Sequence, residues 1–475
     1  MNVKPIAGPQ HGYASSGSDV AECVLAVEGF VLEWVRGTLL RNGPGVFEYG
    51  DDVVRHWFDG QAQLHRFAIA GGGVTYASRL LQTRAMRAIH EEGRLSFSEF
   101  ATDPCRSIFK RAMSVFAPQV TDNALVSIER LGQRHYAMTE APMAVEFDPE
   151  TLETLGYGPP APGTMATAHP HHDPASGSLV NLASSYGPVS AYRVFTQSPD
   201  GSVRRLCSQR VTRPGYVHSF AMTPRYVAHT EFPFVVNPID IPLSGRPFIE
   251  NFRWRPEQGT RIIVWDRQTG RRVGIYETDA GFAFHHVGAW EDGDRLVMEY
   301  VDHSTPAVID ALYLDKLRAG ERTVHSDRPP PRLRRVTVDL PNGRVGSELR
   351  AEHAIEMPRI DDRRHLGRYR AVYGIAAGPD SDYDTPDHIV KLDNETGDAR
   401  TWEQAGCYPG EPIFLPAPGS CEEDDGVLLS VVLDAGHERS FLLVLDAADL
   451  TELARADAPA LIPHGIHGTF TPAAP

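Results

Sequence analysis

Short apolar runs that alternate with turn residues recur along almost the whole chain, and this pattern constrains the fold more than any other feature. In each unit a run rich in Val, Ile, Leu, Phe or Tyr stops at Asp, Asn, Pro or Gly, and a second run follows within a few residues. Asp, Asn and Gly tolerate the backbone conformations of tight turns, so each unit predicts a β-hairpin. Clear examples are residues 145–157, 171–182, 194–206, 262–276, 336–349, 389–402 and 442–456.

The hairpins start at uneven intervals, and long helical periodicity is scarce. This combination predicts an all-β fold in which diverged hairpin units repeat around an axis, as in a β-propeller. A pair of β-sandwiches is the alternative that the pattern leaves open. Because no low-complexity linker divides the chain, we expect one β-propeller domain over residues 21–475, preceded by a flexible arm over residues 1–20.

Net charge and cysteine use exclude several classes of protein. The chain has 46 Lys and Arg against 62 Asp and Glu, and its formal charge of −16 opposes binding to nucleic acid phosphates. We therefore expect no nucleic acid partner. The five cysteines are widely scattered and form no Cys-x-x-Cys pair, which argues against a disulfide framework and against a zinc ribbon. No apolar run approaches the ~20 residues that span a bilayer, so we expect a cytoplasmic protein.

Histidine gives the strongest indication of chemistry. Twenty histidines are present, and four groups of them lie beside aromatic and glycine residues in predicted strands. The groups are TAHPHHD (167–173), GYVHSF (215–220), FAFHHVGAWEDGD (282–294) and IPHGIHGTF (462–470). A histidine in an apolar strand needs a polar partner or a polar cavity. Blades around one axis could each present an imidazole to a shared metal, whereas the simpler interpretation is hydrogen-bonded core histidines.

A rival metal site stays open within the first group. His171 and Asp173 form the His-x-Asp half of a site with two histidines and one carboxylate, which typically holds non-haem iron. The same Asp173 also suits the turn that follows it.

Glutamates recur just before prolines at the ends of predicted strands. They are Glu140, Glu231, Glu356 and Glu411. Each could be a solvated acid where proline stops an edge strand. Alternatively, a carboxylate that accepts the free N–H of a ligating imidazole fixes the tautomer of that ring.

These blocks together resemble the carotenoid cleavage oxygenase family, and the resemblance covers nearly the whole chain. The matching stretches are GTLLRNGPGVFEYG (37–50), HWFDGQAQLHRF (56–67), TAHPHHDPASG (167–177), VHSFAMTPRYV (217–227), FHHVGAWEDGD (284–294), EPIFLP (411–416), EEDDGV (422–427) and PHGIHGTF (463–470). The resemblance implies a seven-bladed β-propeller, capped by loops and short helices, with Fe(II) held on its axis by four histidines.

The resemblance also implies roles for particular residues. The iron ligands would be His169, His218, His285 and His467. The carboxylates that hold these imidazoles would be Glu140, Glu356 and Glu411, and Glu231 has no such counterpart. Thr139 matches a residue near an otherwise open iron position. Gly288 departs from the family, in which many members have asparagine at this position.

The implied activity is a dioxygenase that uses O2 to cleave a conjugated double bond of a carotenoid or apocarotenoid into two aldehydes. The blocks are most similar to the animal-type branch, which contains carotene oxygenases and a retinoid isomerase. A redox-neutral isomerase on the same iron is therefore one alternative, and a non-catalytic pigment carrier is another. A stilbene-cleaving enzyme is less well supported, because Thr139 and approximately Ala112 stand where those members carry a phenol-binding lysine and tyrosine.

A lipophilic substrate has to leave a membrane, and one stretch could provide peripheral contact with a bilayer. In PFIENFRWRP (247–256), four apolar residues alternate with arginines, as expected for an amphipathic surface. They are Phe248, Ile249, Phe252 and Trp254. SIFKRAMSVF (107–116) has a similar mixture, and ordinary core packing is the alternative for both stretches.

Overall fold

The chain forms a seven-bladed β-propeller, as the family resemblance implies. The computed structural model describes residues 8–16, 18–50, 52–104, 121–320, 329–379, 381 and 383–473. Within these residues, seven antiparallel sheets of four to six strands form the blades. Two further two-stranded sheets lie in the connections, namely β4 (Glu48–Tyr49) with β5 (Asp52–Val53), and β19 (Phe234–Val235) with β20 (Arg253–Trp254).

Blades are numbered here in chain order. Blade 1 contains β1 (Val20–Val24), β3 (Gly37–Val46), β6 (Gln61–Ala70), β7 (Gly73–Leu80) and β36 (Gly468–Pro472). Blade 2 contains β8 (Ser127–Leu131), β9 (Arg134–Met138), β10 (Val145–Phe147) and β11 (Thr154–Tyr157). Blade 3 contains β12 (Met165–Ala166), β13 (His171–Asp173), β14 (Ser178–Ser185), β15 (Ala191–Gln197) and β16 (Val203–Arg210). Blade 4 contains β17 (Ala221–Met222), β18 (Tyr226–Glu231), β21 (Thr260–Asp266) and β22 (Arg272–Thr278).

Blades 5 to 7 contain the remaining strands, and blade 7 also takes in β2 from the start of the chain. Blade 5 contains β23 (His286–Asp292), β24 (Arg295–Asp302), β25 (Arg332–Asp339) and β26 (Val345–Ala354). Blade 6 contains β27 (Glu356–Arg359), β28 (Ala371–Ala376), β29 (His388–Asp393) and β30 (Ala399–Glu403). Blade 7 contains β31 (Cys407–Pro409), β32 (Ile413–Pro416), β33 (Gly426–Asp434), β34 (Arg439–Asp446), β35 (Glu452–Asp457) and β2 (Val27–Gly29).

The hydrophobic core lies between neighbouring blades, because each sheet is covered on both faces. One apolar cluster joins the inner faces of blades 6 and 7, and others join blades 4 and 5 and blades 7 and 1. This arrangement explains the continuous apolar runs of the central strands. In β34, six consecutive residues from Ser440 to Leu445 are buried. A strand with one solvated face would alternate instead.

Strands from both ends of the described chain close the ring. β2 pairs with β35 at the outer edge of blade 7, where Glu28 lies opposite Arg455. β36 pairs with β3 in blade 1, where Gly468 lies opposite Arg41. The first and last blades are therefore each completed by a strand from the other end of the sequence.

Short helices cover one side of the ring, in agreement with the expected cap. Helix α1 (Arg84–Glu92) begins at Thr83, whose side chain accepts a hydrogen bond from the Met86 N–H, and ends at Gly93 with φ 66°. Helices α2 (Asp240–Leu243), α3 (Ala307–Ala311) and α4 (Leu314–Ala319) follow. Short 3₁₀ turns occupy Gly8–Tyr13, Trp57–Asp59, Ile249–Asn251, Pro256–Gln258 and Asp362–Arg364.

The segment expected as a flexible arm over residues 1–20 is packed where it is described. In Gly8–Tyr13, Tyr13 is only 5% exposed. The Gly12 carbonyl accepts a 3.0 Å hydrogen bond from His464, and Ser16 donates a 2.8 Å bond to the Gly45 carbonyl. These backbone bonds hold residues 8–16 against blade 1 and the loop before β36. The flexible arm over residues 1–20 and the domain boundary at residue 21 stay predictions.

Candidate metal centre and its cavity

Four histidines enter the centre of the propeller from short connections beside innermost strands. His169 lies between β12 and β13, and His218 lies shortly before β17. His285 and His467 each stand one residue before their strand, β23 and β36 respectively. Because strand ends at the axis converge, side chains that are far apart in sequence meet there.

The four imidazoles form one compact group. One nitrogen from each ring lies within 4.8 Å of the corresponding nitrogens of the other three. The Nε2 atoms of His169 and His218 are 3.0 Å apart, and those of His285 and His467 are 3.1 Å apart. The structure therefore brings together the four histidines that the family resemblance indicates.

Carboxylates fix the orientation of three of these rings. The Nδ1 atom of His218 donates to Glu140 at 2.6 Å, and that of His285 donates to Glu356 at 2.6 Å. His467 Nδ1 donates to Glu411 at 2.7 Å. Among the described residues, no carboxylate forms an ion pair with His169.

These hydrogen bonds determine what the centre can hold. An Nδ1–H that donates to a carboxylate leaves Nε2 with a lone pair. The Nε2 atoms of His285 and His467 thus present lone pairs to each other at 3.1 Å, which is unfavourable without a cation between them. Four neutral imidazoles around one point are a donor set that suits Fe, Zn, Cu or Ni ions. The donor geometry fits a metal ion.

Burial favours the neutral, metal-binding form of His169, His218 and His467. It lowers the pKa of His169 well below its usual value, and the neighbouring imidazoles of His218 and His467 lower it further. Burial also lowers the pKa of His218, although Glu140 acts in the opposite direction. For His467, burial lowers the pKa to about 4.

Each of the three carboxylates is held by a different second partner. The Tyr216 hydroxyl donates to Glu140 at 2.6 Å. His303 Nε2 donates to the second oxygen of Glu356, also at 2.6 Å. The sequence analysis did not identify these partners. Tyr216 stands in the GYVHSF group, whereas nothing in the sequence around His303 distinguishes it.

Glu411 lies between two arginines that the sequence analysis also missed. It receives Arg41 at 2.7 Å and Arg359 at 2.8 Å, in addition to His467. Burial alone would raise the pKa of Glu411, but Arg359 and His467 hold it well below its usual range. This carboxylate is therefore ionised, and two fixed cations share its charge with the imidazole.

The rival site of His171 and Asp173 does not form. His171 Nε2 donates to the Phe220 carbonyl at 2.8 Å. Asp173 accepts from Ser176 at 2.7 Å and pairs with Arg267, as the turn interpretation requires. Glu231 likewise lies apart from the cluster, where it accepts a 2.7 Å hydrogen bond from Arg261.

Two other positions singled out in the sequence have simple locations. Thr139 directly precedes Glu140 and is half-buried, and its role beside the metal stays a prediction. At Gly288, an added Cβ would lie 2.5 Å from the Tyr369 ring. A side chain here would clash, which explains the departure from asparagine.

An apolar cavity of about 330 Å³ adjoins the histidines. His218, His285 and Glu356 lie in its wall, and most of the remaining wall is hydrocarbon. Apolar wall residues include Trp57, Phe58, Val126, Phe284, Val308, Leu312, Leu317, Met357, Ile375 and Ile466. Helices α3 and α4 thus contribute to the cavity as well as to the cap.

The stretch expected to touch a membrane is largely internal. Ile249 is 4% exposed and Phe252 is 3% exposed, and both belong to the core between blades 4 and 5. Phe248 and Trp254 are half-buried. The prediction of an exposed apolar face is therefore wrong for Ile249 and Phe252. Their side chains pack into the apolar cluster between blades 4 and 5 instead of facing solvent. Ala112 and residues 107–116 lie outside the described residues.

Exposed apolar side chains do occur next to this stretch. In and beside α2, Ile239 is 61% exposed and Leu243 is 69% exposed. No helix in the described part of the chain is both long and apolar enough to cross a bilayer.

Comparisons with known proteins agree with the fold and with the cluster. The family model described as "Retinal pigment epithelial membrane protein" matches residues 13–472. A mitochondrial carotenoid-cleaving dioxygenase of Macaca fascicularis is 34% identical, over 94% of this chain and 91% of its own length. A carotenoid isomerooxygenase of Galleria mellonella is also 34% identical, over 94% and 93%. A beta,beta-carotene 15,15'-dioxygenase of Rattus norvegicus is 32% identical, over 94% and 88%.

Solved structures give the same result. Cobalt-substituted apocarotenoid oxygenase of Synechocystis superposes with a TM-score of 0.87 at 26% identity, covering 98% of both chains. A chimera of that enzyme with RPE65 gives the same TM-score, identity and coverage. The fold and the family match over nearly the whole length together show that the chain belongs to the RPE65/carotenoid oxygenase family.

Proposed function

We propose that this protein is a non-haem Fe(II) dioxygenase that cleaves a conjugated C=C bond of a carotenoid or apocarotenoid with O2. The observation that carries the proposal is the convergence of four imidazole lone pairs at the wall of an apolar cavity. The three relatives described above are all named as oxygenases of carotenoids, which supports a polyene substrate for this chain. His169, His218, His285 and His467 would hold the iron.

One set of residues would hold the metal, and a second set forms the wall of the substrate cavity. Ferrous iron, when bound, supplies the activation of dioxygen. Glu140, Glu356 and Glu411 keep three imidazoles in the tautomer that turns Nε2 toward the centre. Four imidazoles would leave a bound ferrous ion its full +2 charge, because a neutral ring carries no charge.

The cavity wall would orient the polyene and exclude water. Phe58 and Phe284 lie with their rings 5.9 Å apart, edge to face, beside the histidines. Such aromatic walls bind a flat conjugated chain by dispersion and by burial of hydrocarbon surface. No group in the wall has to donate or remove a proton, because one C=C bond and one O2 account for both carbonyl products. We propose Thr139 as a residue beside the open face of the iron.

Product analysis under ¹⁸O-labelled dioxygen tests the reaction. Iron-loaded protein should convert detergent-dispersed carotenoids or apocarotenals into pairs of aldehydes, each carrying one labelled oxygen by mass spectrometry. Unlabelled rearranged products would indicate the redox-neutral isomerase instead. Turnover restricted to hydroxystilbenes would indicate a stilbene-cleaving enzyme.

A variant separates catalysis from pigment carriage. His285→Ala should lose both iron and turnover while retaining the far-UV circular dichroism of the folded protein. A carrier would keep polyene binding and would show no turnover even as the iron-loaded wild type.

A further inference from the structure

One end of the cavity is polar, although most of its wall is hydrocarbon. The Tyr13 hydroxyl lies 3.1 Å from Thr385 Oγ1, and these residues are 5% and 6% exposed. The ring of His464 lies 4.7 Å from that of Tyr13. All three residues line the same cavity as His218 and His285. Buried polar groups in an apolar wall cost free energy unless they are paired, so this end needs a chemical explanation.

The hydrogen bonds of His464 show which of its atoms is available. Nε2 lies 3.0 Å from the Pro9 carbonyl, so this nitrogen carries the proton and donates it. Gly12 covers the same edge of the ring, because an added Cβ would lie 2.3 Å from Cδ2 and 2.4 Å from Nε2. His464 lines the cavity, and the opposite edge of its ring carries Nδ1, which neither the Pro9 carbonyl nor Gly12 covers. Burial lowers the pKa of His464 to about 4, so the ring is neutral near pH 7.

These groups together complement one kind of ligand. Nδ1 of a neutral ring that donates from Nε2 can only accept a hydrogen bond. The hydroxyls of Tyr13 and Thr385 bond each other, which uses one of their two protons, so one hydroxyl can still donate to a ligand. A ligand group that donates to His464 and accepts from Tyr13 or Thr385 is a hydroxyl. A carbonyl cannot donate to Nδ1, and a bare hydrocarbon end would leave all three groups without a ligand partner.

The polar end and the metal centre are close enough for one molecule to reach both. His464 precedes His467 by three residues. Because an extended chain advances at most ~3.6 Å per residue, their Cα atoms are separated by no more than about 11 Å. Because His464, His218 and His285 line one cavity, a polyene with an end group beside His464 is long enough to reach the histidine cluster.

We infer that this cavity selects polyenes that carry a hydroxyl group at one end, and that Tyr13, Thr385 and His464 bind this hydroxyl. The inference rests on the proposed function, since it concerns the substrate class of the same site. The three residues act in binding and specificity, and they take no part in the oxygen chemistry.

A matched pair of substrates tests the inference. Two apocarotenals of equal chain length, with and without a hydroxyl on the terminal ring, are compared with iron-loaded protein. Binding is measured without O2 by quenching of tryptophan fluorescence, and kcat/KM is measured with O2. The hydroxylated compound should bind about tenfold more tightly, which is the effect of one hydrogen bond in a buried site, and its kcat/KM should be about tenfold higher.

Variants assign the preference to the named side chains. Tyr13→Phe and Thr385→Val each remove one hydroxyl with little change of volume, and each should bring the binding ratio of the two compounds toward one. Tyr300→Phe is the matched control, because Tyr300 is buried in blade 5 and does not line the cavity. The control should keep the wild-type ratio.

The outcomes separate this inference from the proposed function. Equal binding of both compounds by the wild type, or a ratio that neither variant changes, would overturn the hydroxyl site. Hydroxyl-dependent binding without any labelled aldehyde product would retain the site and overturn the dioxygenase. Thermal unfolding of each variant shows whether that variant folds. If a variant does not fold, the ratio of the two binding affinities measured on the wild type still decides the inference.

Discussion

At the scale of single residues, the metal centre is built from pairs. Each carboxylate that orients an imidazole is itself held by another group, and the three arrangements differ. Glu140 has a tyrosine, Glu356 a second histidine, and Glu411 two arginines. Cations that share a carboxylate weaken its pull on an imidazole proton, so the ring paired with Glu411 should be a weaker electron donor than the ring paired with Glu356.

Glu356→Gln tests the coupling between carboxylate and metal. The amide can accept one hydrogen bond, but it lacks the charge and cannot accept from both His285 and His303. We expect the affinity of metal-free protein for Co(II) to fall about 10–100-fold, measured by the visible absorption of the bound ion. Glu231→Gln is the control, since Glu231 pairs with Arg261 away from the cluster. Equal affinities in the two variants would contradict the orienting role.

His303 offers a more selective test, because its hydrogen bond goes to Glu356 and not to a metal-binding histidine. His303→Phe removes the donor to Glu356, whereas His303→Gln can keep one. We expect Co(II) affinity to fall about tenfold in the first variant and to recover mostly in the second. A loss of the same size in both would mean that His303 acts through packing against Phe282 and Phe284 instead.

The local motifs indicated four groups of histidines and four glutamates before prolines, and the family resemblance selected four histidines and three glutamates among them. The sequence could not indicate His303, Arg41 or Arg359, since these residues reach the site through space from other blades. The pairing of Arg41 with Glu411 joins positions that are adjacent only after the ring closes.

At the scale of elements, ring closure depends on a short strand. β2 has three residues, and its bonds to β35 continue on either side, from Asp457 to the Ala26 carbonyl and from Phe30 to the Leu453 carbonyl. Because bonded pairs alternate in an antiparallel ladder, the pair between Glu28 and Arg455 is also a bonded one.

Glu28→Pro should therefore weaken closure. Proline removes the N–H that bonds β35, and we expect the free energy of unfolding to fall by about 2 kcal/mol. Urea unfolding followed by circular dichroism measures the change. Glu28→Ala keeps the N–H and serves as the control. If both variants lost the same amount, the glutamate side chain would be the important group.

Helix α2 is the element that we expect to contact a membrane. Ile239 and Leu243 are exposed and lie four residues apart, so they share one face. Leu243→Asp should lower the fraction of protein that sediments with phosphatidylcholine vesicles at least twofold. Val189→Asp is the control, since Val189 is 59% exposed elsewhere on the surface. No difference between the two variants would remove α2 from the contact.

The elements also show where prediction from sequence stops. Alternating turns and apolar runs predicted strands, and the fully buried faces of the blades explain why those runs lack a period of two. The 247–256 stretch has the same composition as a surface helix, and only the packing of blades 4 and 5 decides that Ile249 and Phe252 point inward.

At the scale of the whole molecule, buried neutral histidines should make the metal-free protein sensitive to acid. Burial lowers the pKa of five of them to about 3 and of two more to about 4. They are His56, His65, His171, His229 and His286, followed by His464 and His467. An unfolded chain binds protons at these rings below pH ~6.5, whereas the folded chain does not. The stability that these neutral rings contribute is therefore complete above that pH and is lost progressively as the pH falls toward about 3.

Three buried acids act in the opposite direction. Burial raises the pKa of Asp59 to about 7 and also raises the pKa values of Glu99 and Glu299, so protonation of these groups favours the folded state as the pH falls. Seven histidines outweigh three acids. We expect the free energy of unfolding to fall on the order of 5 kcal/mol between pH 7 and pH 5, measured by urea titration of metal-free protein. A flat profile would mean that these rings keep access to solvent.

The closure of the ring by β2 and β36 also sets an order of events during synthesis. A ribosome releases His169, His218 and His285 long before it reaches His467 and the strand that follows it. Until then the nascent chain has three ligands, an unpaired edge on blade 1 and no complete cavity. A metal ion held by all four histidines should therefore enter only after translation has passed residue 467, so that a long, nearly finished propeller has to avoid aggregation before a metal can stabilise it.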